Sequence, residues 1–221
     1  VDAGNRAYVR RINFRGNTIT QDQVLRREMR QLESGWASTA SIEHSKVRLE
    51  RLGFFQAVNV ETPSVAGSDD QIDVEYSVEE QPTGSVSATL GFAQGTGLIL
   101  GASYQQNNVF GTGNSVNVGI NHSRFQTAYN FSFFDPYFTV DGVSRGYSFF
   151  FRKSDFDERN IARFSTDSFG GSVNFGYPIS EIARVGMSVG YENTDIQEGV
   201  VPAQEISNFL DVEGNEFNLI T

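Results

Sequence analysis

The side chains able to do chemistry are few, and none of them is placed to catalyse. The sequence holds two histidines, His44 and His122, and no cysteine. Nucleophilic catalysis needs a base beside its nucleophile. His44 lies on a helical stretch and reads as a surface residue, while His122 sits at a strand end and reads as part of a loop. Two glycine-rich stretches, "AQGTG" and "FGTGN", lack the lysine and the helix of a phosphate loop, so they read as hairpin turns. "DVEGNE" offers carboxylates, but their spacing fails the calcium-loop pattern. Asp135 before Pro136 is read as a turn former. The expectation is a protein without cofactor, metal or enzymatic activity.

Composition bounds what else the chain could do. At 221 residues it has room for one or two domains. Only 38% of residues are hydrophobic, yet 19 Phe, 8 Tyr and 22 Gly occur together, which favours many strands and tight turns. No run of about 18 apolar residues exists, so a transmembrane helix is excluded; a barrel is not, because alternation dilutes its hydropathy. The net charge of −10 and the lack of a basic run disfavour nucleic acid as a partner. Without cysteine there are no disulfides or thiolate metal sites. The last strand-like stretch, "NEFNLIT", runs to the final residue, and the sequence is expected to be a piece of something longer.

The elements that position these residues follow two different periods. From Tyr8 to about Pro82 the order is β-α-α-β-β, an α+β domain expected over 1–82. Tyr8, Ile12 and Phe14 mark a half-buried strand ended by Gly16-Asn17. Thr20, with Gln23 three residues on, predicts a capping box and a helix from Gln21 to about Leu32. A second helix is predicted from about Thr39 to Gly53, with Ile42, Leu49 and Leu52 on one stripe. "FFQAVNVETP" and "QIDVEYSVEE" then read as two strands, Ile72, Val74, Tyr76 and Val78 facing the core.

After Thr83 the helical period vanishes. Val86, Ala88, Leu90 and Phe92 alternate with Ser85, Ser87, Thr89 and Gly91. The same rule runs through six further segments up to Tyr191, Ile99 being its one exception, and an eighth strand is expected from Glu216. A soluble sandwich also alternates. Three details favour a membrane: the polar faces are Ser, Gly, Asn and Thr rather than Lys and Glu; strands of about 9 to 11 residues suit a tilted crossing; and tyrosines gather near strand ends. Residues 83–221 are therefore expected to form an antiparallel, incomplete transmembrane β-barrel of about 7–8 strands. "FGTGN", "DPYFTVDG" and "PISEI" read as its short periplasmic turns, with long polar loops at the other end.

The stretches "VRRINFRGN", "VLRREMRQLESGW", "VRLERLGFFQAVNVET", "NNVFGTGNSVNVGIN" and "DPYFTVDGVSRGYSFF" carry a resemblance. Nearly end to end, the chain resembles the last periplasmic POTRA domain and first barrel strands of the BamA family of outer-membrane protein assembly factors. The resemblance implies a 16-stranded barrel that inserts other barrel proteins into the outer membrane, with unfolded outer-membrane proteins as substrates and the accessory lipoproteins of the BAM complex as partners. It implies location in the outer membrane, in contact with its lipid, with the POTRA domain in the periplasm. It also implies a lateral gate at the first barrel strand, here Gly84, Ser85, Val86, Ser87, Ala88, Thr89, Leu90 and Gly91. Several of these are small, and glycine weakens a strand interior. Glu33, with Glu28 and Arg30 near it, maps to the place where a BamD-like lipoprotein docks. Asp135, Pro136, Tyr137 and Phe138 form a periplasmic turn. Trp36 is expected to be core or hinge packing.

Related POTRA-barrel transporters of the two-partner secretion and TamA-like kinds share this architecture, although they look less like "RREMRQ" followed by "GW". A secretion pore of that kind is the second reading. It would put substrate against lumen-facing Ser87, Asn117 and Asn130, with no pairing at the first strand's edge.

Overall fold

The computed structural model describes residues 6–68, 70–156, 164–181, 183–199 and 204–221. The chain forms two units, one reaching to Thr83 and including Asn107–Gly113, the other made of Gly84–Gln106 and Asn114–Thr221. The sequence alone placed all of 83–221 in the strand-rich part; the segment 107–113 instead packs within the first unit.

The first unit contains β1 (Tyr8–Arg15), α1 (Asp22–Arg26), α2 (Thr39–Arg51), β2 (Phe55–Glu61) and β3 (Gln71–Glu80). Its sheet has the order β1-β3-β2, with β1 parallel and β2 antiparallel to the central β3. Alternation buries Val74, Tyr76 and Val78 of β3 against Ile42 and Leu49 of α2 and Val24 and Leu25 of α1. Each such side chain withdrawn from water contributes roughly 1.5–3 kcal/mol. The buried Tyr76 hydroxyl donates to the Ile42 carbonyl at 3.0 Å, so the core leaves no orphan phenol. Ser38 caps α2 by accepting from the Ser41 N–H, and Gly53 follows its end at φ +70°.

The first helix is much shorter than its capping box predicted. It stops at Arg26, and its N-cap is Gln21, which makes no side-chain cap bond. Tertiary partners have taken the capping groups: the Thr20 hydroxyl accepts from Asn108 Nδ2 at 2.8 Å and the Thr20 N–H donates to Glu80. Beyond Arg27, Gln31 bonds the Trp36 carbonyl and the Ser38 N–H, which stops the helix from reaching Leu32. Helix propensity is a weak prior, and here long-range hydrogen bonds override it.

The second unit is one antiparallel meander in which every strand pairs with its neighbours in sequence. Its strands are β4 (Gly84–Ala93), β5 (Gly97–Gln106), β6 (Ser115–Ser123), β7 (Gln126–Asp135), β8 (Ser144–Asp155), β9 (Phe164–Pro178), β10 (Arg184–Glu198) and β11 (Glu216–Ile220), with α3 (Gln204–Glu213) before the last. β9 and β10 run for 15 residues each, longer than the predicted span, because their pairing continues into a polar end.

The sheet has two unlike faces. Among the described residues, all the buried hydrophobic ones except Phe125 belong to the first unit. Val86, Phe149, Val185, Met187 and Val189 share one face and are all more than half exposed. A soluble sandwich would cover that face with a second layer; no described element does so. Across β7 and β8 the face is a ladder of aromatic pairs, Tyr129–Phe151, Phe131–Phe149 and Phe133–Tyr147, with centroids 6.2–6.3 Å apart. The ladder is bounded by charge. One end meets the register row Thr127–Lys153–Asp167–Asp195–Glu216, the other Asp135 beside Arg145. From Arg145 to Lys153 is about 26 Å along the strand, or about 20 Å across a sheet tilted by about 40°. Tyr129 and Tyr147 each stand two residues inside these rows, at the level of an aromatic girdle.

Loop lengths divide less cleanly than expected. At the end where β4 begins, the connections span 107–114, 136–143 and 179–183. At the opposite end two are very short, 94–96 and 124–125, and two are long, 156–163 and 199–215. The middle of both long loops, 157–163 and 200–203, lies outside the described residues, as does Ile182 of "PISEI".

Candidate functional site

The first candidate is a backbone edge. β4 pairs with β5 along its whole length, from Gly84 opposite Gln106 to Ala93 opposite Gly97, and the pair closes through a tight turn. No described strand pairs with its other side. Alternate residues of an edge strand aim N–H and C=O groups away from their neighbour, a template for another chain. Val86, Ala88, Leu90 and Phe92 lie on the apolar face, and Ser85, Ser87, Thr89 and Gly91 on the polar one. Ser87 holds to β5 by a hydroxyl pair with Ser103 at 2.7 Å. Val86, Leu90 and Phe92 are each more than three-quarters exposed, so few side-chain contacts brace this strand.

The polar face continues as a ladder of small groups. Asn130 Nδ2 donates to Asn117 Oδ1 at 3.1 Å, and the hydroxyls of Ser148 and Ser172 meet at 2.7 Å. Glycines oppose the asparagines here: a side chain at Gly119 would strike Asn130, and one at Gly146 would strike Asn174. Ser87, Thr89, Gly101, Asn121 and Asn130 line a notch of about 150 Å³. Such a surface suits water, not a tightly held ligand.

The three residues predicted to dock a partner do not form one patch. Glu28 is 4% exposed, bonded by Arg48 Nη2 at 2.6 Å and with Arg27 at 3.8 Å. It is a structural carboxylate, and the structure removes it from the docking set. Arg30 is half-buried, its N–H donating to Ser45 Oγ and its guanidinium to the Met29 carbonyl. Glu33 remains accessible, with 45% of its side chain exposed, but it is engaged: Oε1 accepts from the Ile12 N–H at 2.9 Å and lies 3.4 Å from Arg26. Trp36 is 59% exposed, edge-on to Tyr8 and beneath the Arg6 guanidinium, so it is surface packing and not core.

Asp135 closes β7 and accepts from the Tyr137 N–H at 3.1 Å, which shapes the turn at Pro136. Arg145 stands 3.8 Å from the same carboxylate and 3.9 Å over the Phe138 ring. Turn and strand are thereby tied together at the edge of the apolar band.

The sequence marked "FGTGN" as a turn but did not foretell that 107–113 packs within the first unit. Asn108 is buried at φ 58°; its amide donates to Thr20 Oγ1, and its carbonyl oxygen accepts from the Gly113 N–H at 2.8 Å. Gly111, at φ +72°, gives its carbonyl to the Gln21 N–H, and a Cβ there would run into the carbonyl of Ile19. Beneath this, Glu80 accepts from the N–H groups of Thr18, Ile19 and Thr20 and from the Thr18 hydroxyl, at 2.6–3.0 Å. Burial would raise the Glu80 carboxyl, but the bonds from Thr20, Thr18 and Ile19 outweigh it and lower it to about 2. The available signal was the run Asn108, Gly111, Gly113, all residues tolerant of positive φ.

Among the described residues, no group of three His, Asp or Glu could hold a metal ion, and no helix is long and apolar enough to cross a membrane.

Residues 108–219 match the Omp85 superfamily domain, and residues 7–81 match the POTRA family, described as a surface antigen variable number repeat. The outer membrane protein assembly factor BamA of Neisseria meningitidis serogroup B is 36% identical over 200 residues, covering 89% of this chain and 25% of that protein. The crystal structure of BamA from Haemophilus ducreyi lacking POTRA domains 1–3 aligns with TM-score 0.80 and 33% identity, over 100% of this chain and 43% of that one. CdiB from Acinetobacter baumannii aligns with TM-score 0.61 at 14% identity, over 91% and 40%, a likeness of fold alone. The chain thus spans about a quarter of the length of the Neisseria relative.

Proposed function

The chain belongs to the Omp85 superfamily, and from that premise we propose that it is part of a protein that assembles and inserts β-barrel proteins into the outer membrane, the β4 edge facing away from β5 serving as the template. The observation carrying this reading is that β4, with an apolar and a polar face, is an edge strand that pairs with β5 alone among the described strands. A substrate strand obeying the same alternation would complete the ladder, gain the missing backbone bonds and match both faces at once. No side chain need be catalytic. The small residues Gly84, Ser85, Ser87, Ala88 and Gly91 keep the seam weakly braced, so it opens at modest cost.

The apolar ladder between its two charged rows supports an outer-membrane location, with lipid against Phe131, Phe149 and Val189 and water against the Asn/Ser face. The end at which β4 starts is joined to the POTRA domain through Pro82 and Thr83, which makes it the periplasmic end. In the same reading Glu33, with Arg30 near it, receives a cationic side chain of an accessory lipoprotein.

The test is disulfide trapping in the full-length protein, with Ser87→Cys at the seam and a stalled barrel substrate carrying cysteine in its terminal strand. This chain contributes no background thiol. Crosslinks restricted to one register support templated insertion. Crosslinks to a translocating passenger at positions 117 and 130, with none at 87, would replace it with a secretion pore.

A further inference from the structure

Among the described strands β1, β2, β4 and β11 all lie at sheet edges, and the β1 edge is closed. β1 lies at the side of the POTRA sheet, and β3 is the one named strand it pairs with among the described residues. Its other side is covered in two steps. Residues 34–37 run antiparallel to its start, with Val9 N–H on the Gly35 carbonyl at 3.0 Å, Ser34 N–H on the Val9 carbonyl at 2.7 Å and Ala37 N–H on the Ala7 carbonyl at 2.9 Å. After the irregularity between Val9 and Arg11, side chains take over. Glu33 Oε1 accepts from the Ile12 N–H at 2.9 Å, and Arg26 Nη2 donates to the Ile12 carbonyl at 3.2 Å. One acceptor and one donor on the same residue are what a peptide group of a neighbouring strand would supply.

The pair is arranged to stay there. Arg26 bridges to Glu33 at 3.4 Å and to Asp22 one turn earlier, and its guanidinium lies 5.3 Å over the Phe14 ring. Both side chains are about half exposed, so the closure is a surface arrangement that can be lost without emptying the core. Edge strands left open pair with whatever extended chain is nearby.

We propose that Glu33 and Arg26 are a guard on the β1 edge, denying its Ile12–Phe14 stretch to extended segments of the substrate. This rests on the insertion reading for the identity of the occupant. The occupant is a barrel-type strand, adding antiparallel to β1 in continuation of residues 34–37, which already sit on that edge in that direction. Glu33 acts here as a positioning residue, independently of any lipoprotein.

The experiment uses the full-length protein with a photocrosslinking residue at position 11, and as probe a synthetic peptide copying residues 126–135, QTAYNFSFFD. Amide exchange is followed at Ile12, with Val9 and Leu49 as internal controls. In the Glu33→Ala, Arg26→Ala double variant, Ile12 exchange should rise by about tenfold, as for one lost hydrogen bond, with the controls unchanged. Peptide capture at position 11 should appear in the same variant. Glu33→Gln, which keeps an acceptor for the Ile12 N–H, should match the parent in both readouts. Unchanged Ile12 exchange overturns the proposal, as does a freed Ile12 without capture, or equal loss at Val9 and Leu49. Failure of the insertion reading is separate: it shows as absent substrate pairing at β4, whatever happens at Ile12.

Discussion

Glu80 offers the sharpest test of how the POTRA domain is held together. Its carboxylate accepts four hydrogen bonds from Thr18, Ile19 and Thr20, and these segments in turn hold Asn108 and Gly111. The folded carboxyl is lowered to about 2 from an ordinary value of 4.5. A depressed carboxyl stabilises the fold above its unfolded pKa and loses that contribution as pH falls through the folded one, so the window is pH 4.5 down to about 2. Taken whole, the shift is worth roughly 3 kcal/mol at 1.36 kcal/mol per pKa unit. Solvent screening of this partly accessible group reduces that to about 1–2 kcal/mol. Glu80→Gln removes the titration and part of the acceptor capacity. It should cost about 1–2 kcal/mol at pH 7 and flatten the acid limb. The assay is urea unfolding of the chain in detergent between pH 2 and 7, followed by the fluorescence of Trp36, its sole tryptophan. The same loss of stability on acidification in parent and variant would refute the reasoning, because the protons taken up would then belong to other groups.

The remaining predictions concern the turn, the sheet and the buried carboxylate. Gly111→Ala should destabilise the POTRA domain by about 2 kcal/mol or more, read by the same unfolding assay, because its φ is positive and its Cβ meets the Ile19 carbonyl. Phe149→Arg, in the middle of the apolar ladder, should cost about 2–4 kcal/mol in bilayer folding measurements. Ser172→Arg on the polar face should cost far less in the same measurements; equal costs would mean that the faces are assigned wrongly. Glu28→Ala should lose about 3 kcal/mol by removing a buried carboxylate that Arg48 bonds at 2.6 Å, whereas Glu33→Ala should lose about 1 kcal/mol or less. Thermal unfolding separates the two.

How much of this could be read from the sequence depends on the range of the interaction involved. The period-two rule is local, so the strands of the sheet and the two faces of β4 were legible residue by residue. The second helix was legible for the same reason: its stripe and Gly53 sit within one element. The first helix was not. Thr20 and Gln23 form a good capping box, but Thr20 found Glu80 sixty residues on and Asn108 eighty-eight residues on. Nothing near Thr20 announces either partner. Glu28 and Glu33 were equally alike in sequence, both acidic and near one helix end. Arg48, twenty residues away, buries one of them and leaves the other at the surface.

Two of the edge strands, β1 and β4, show where side chains give way to topology. β1 and β4 both alternate, both border a sheet, and both could accept another strand. Their sequences differ in the wrong sense for a simple rule: β1 is rich in arginine, the kind of charge that blunts an edge, yet Arg10 and Arg15 are paired with Asp73 and Glu75 of β3 instead. The closure comes from Arg26 and Glu33, residues outside the strand altogether. β4 carries no charge and no such cover among the described residues. In a protein proposed to act by pairing strands, what matters is which backbone groups are left over once all side chains have chosen partners. That remainder is set by the whole fold, which is why the two faces of β4 could be read from its pattern while the side-chain cover on β1 could not.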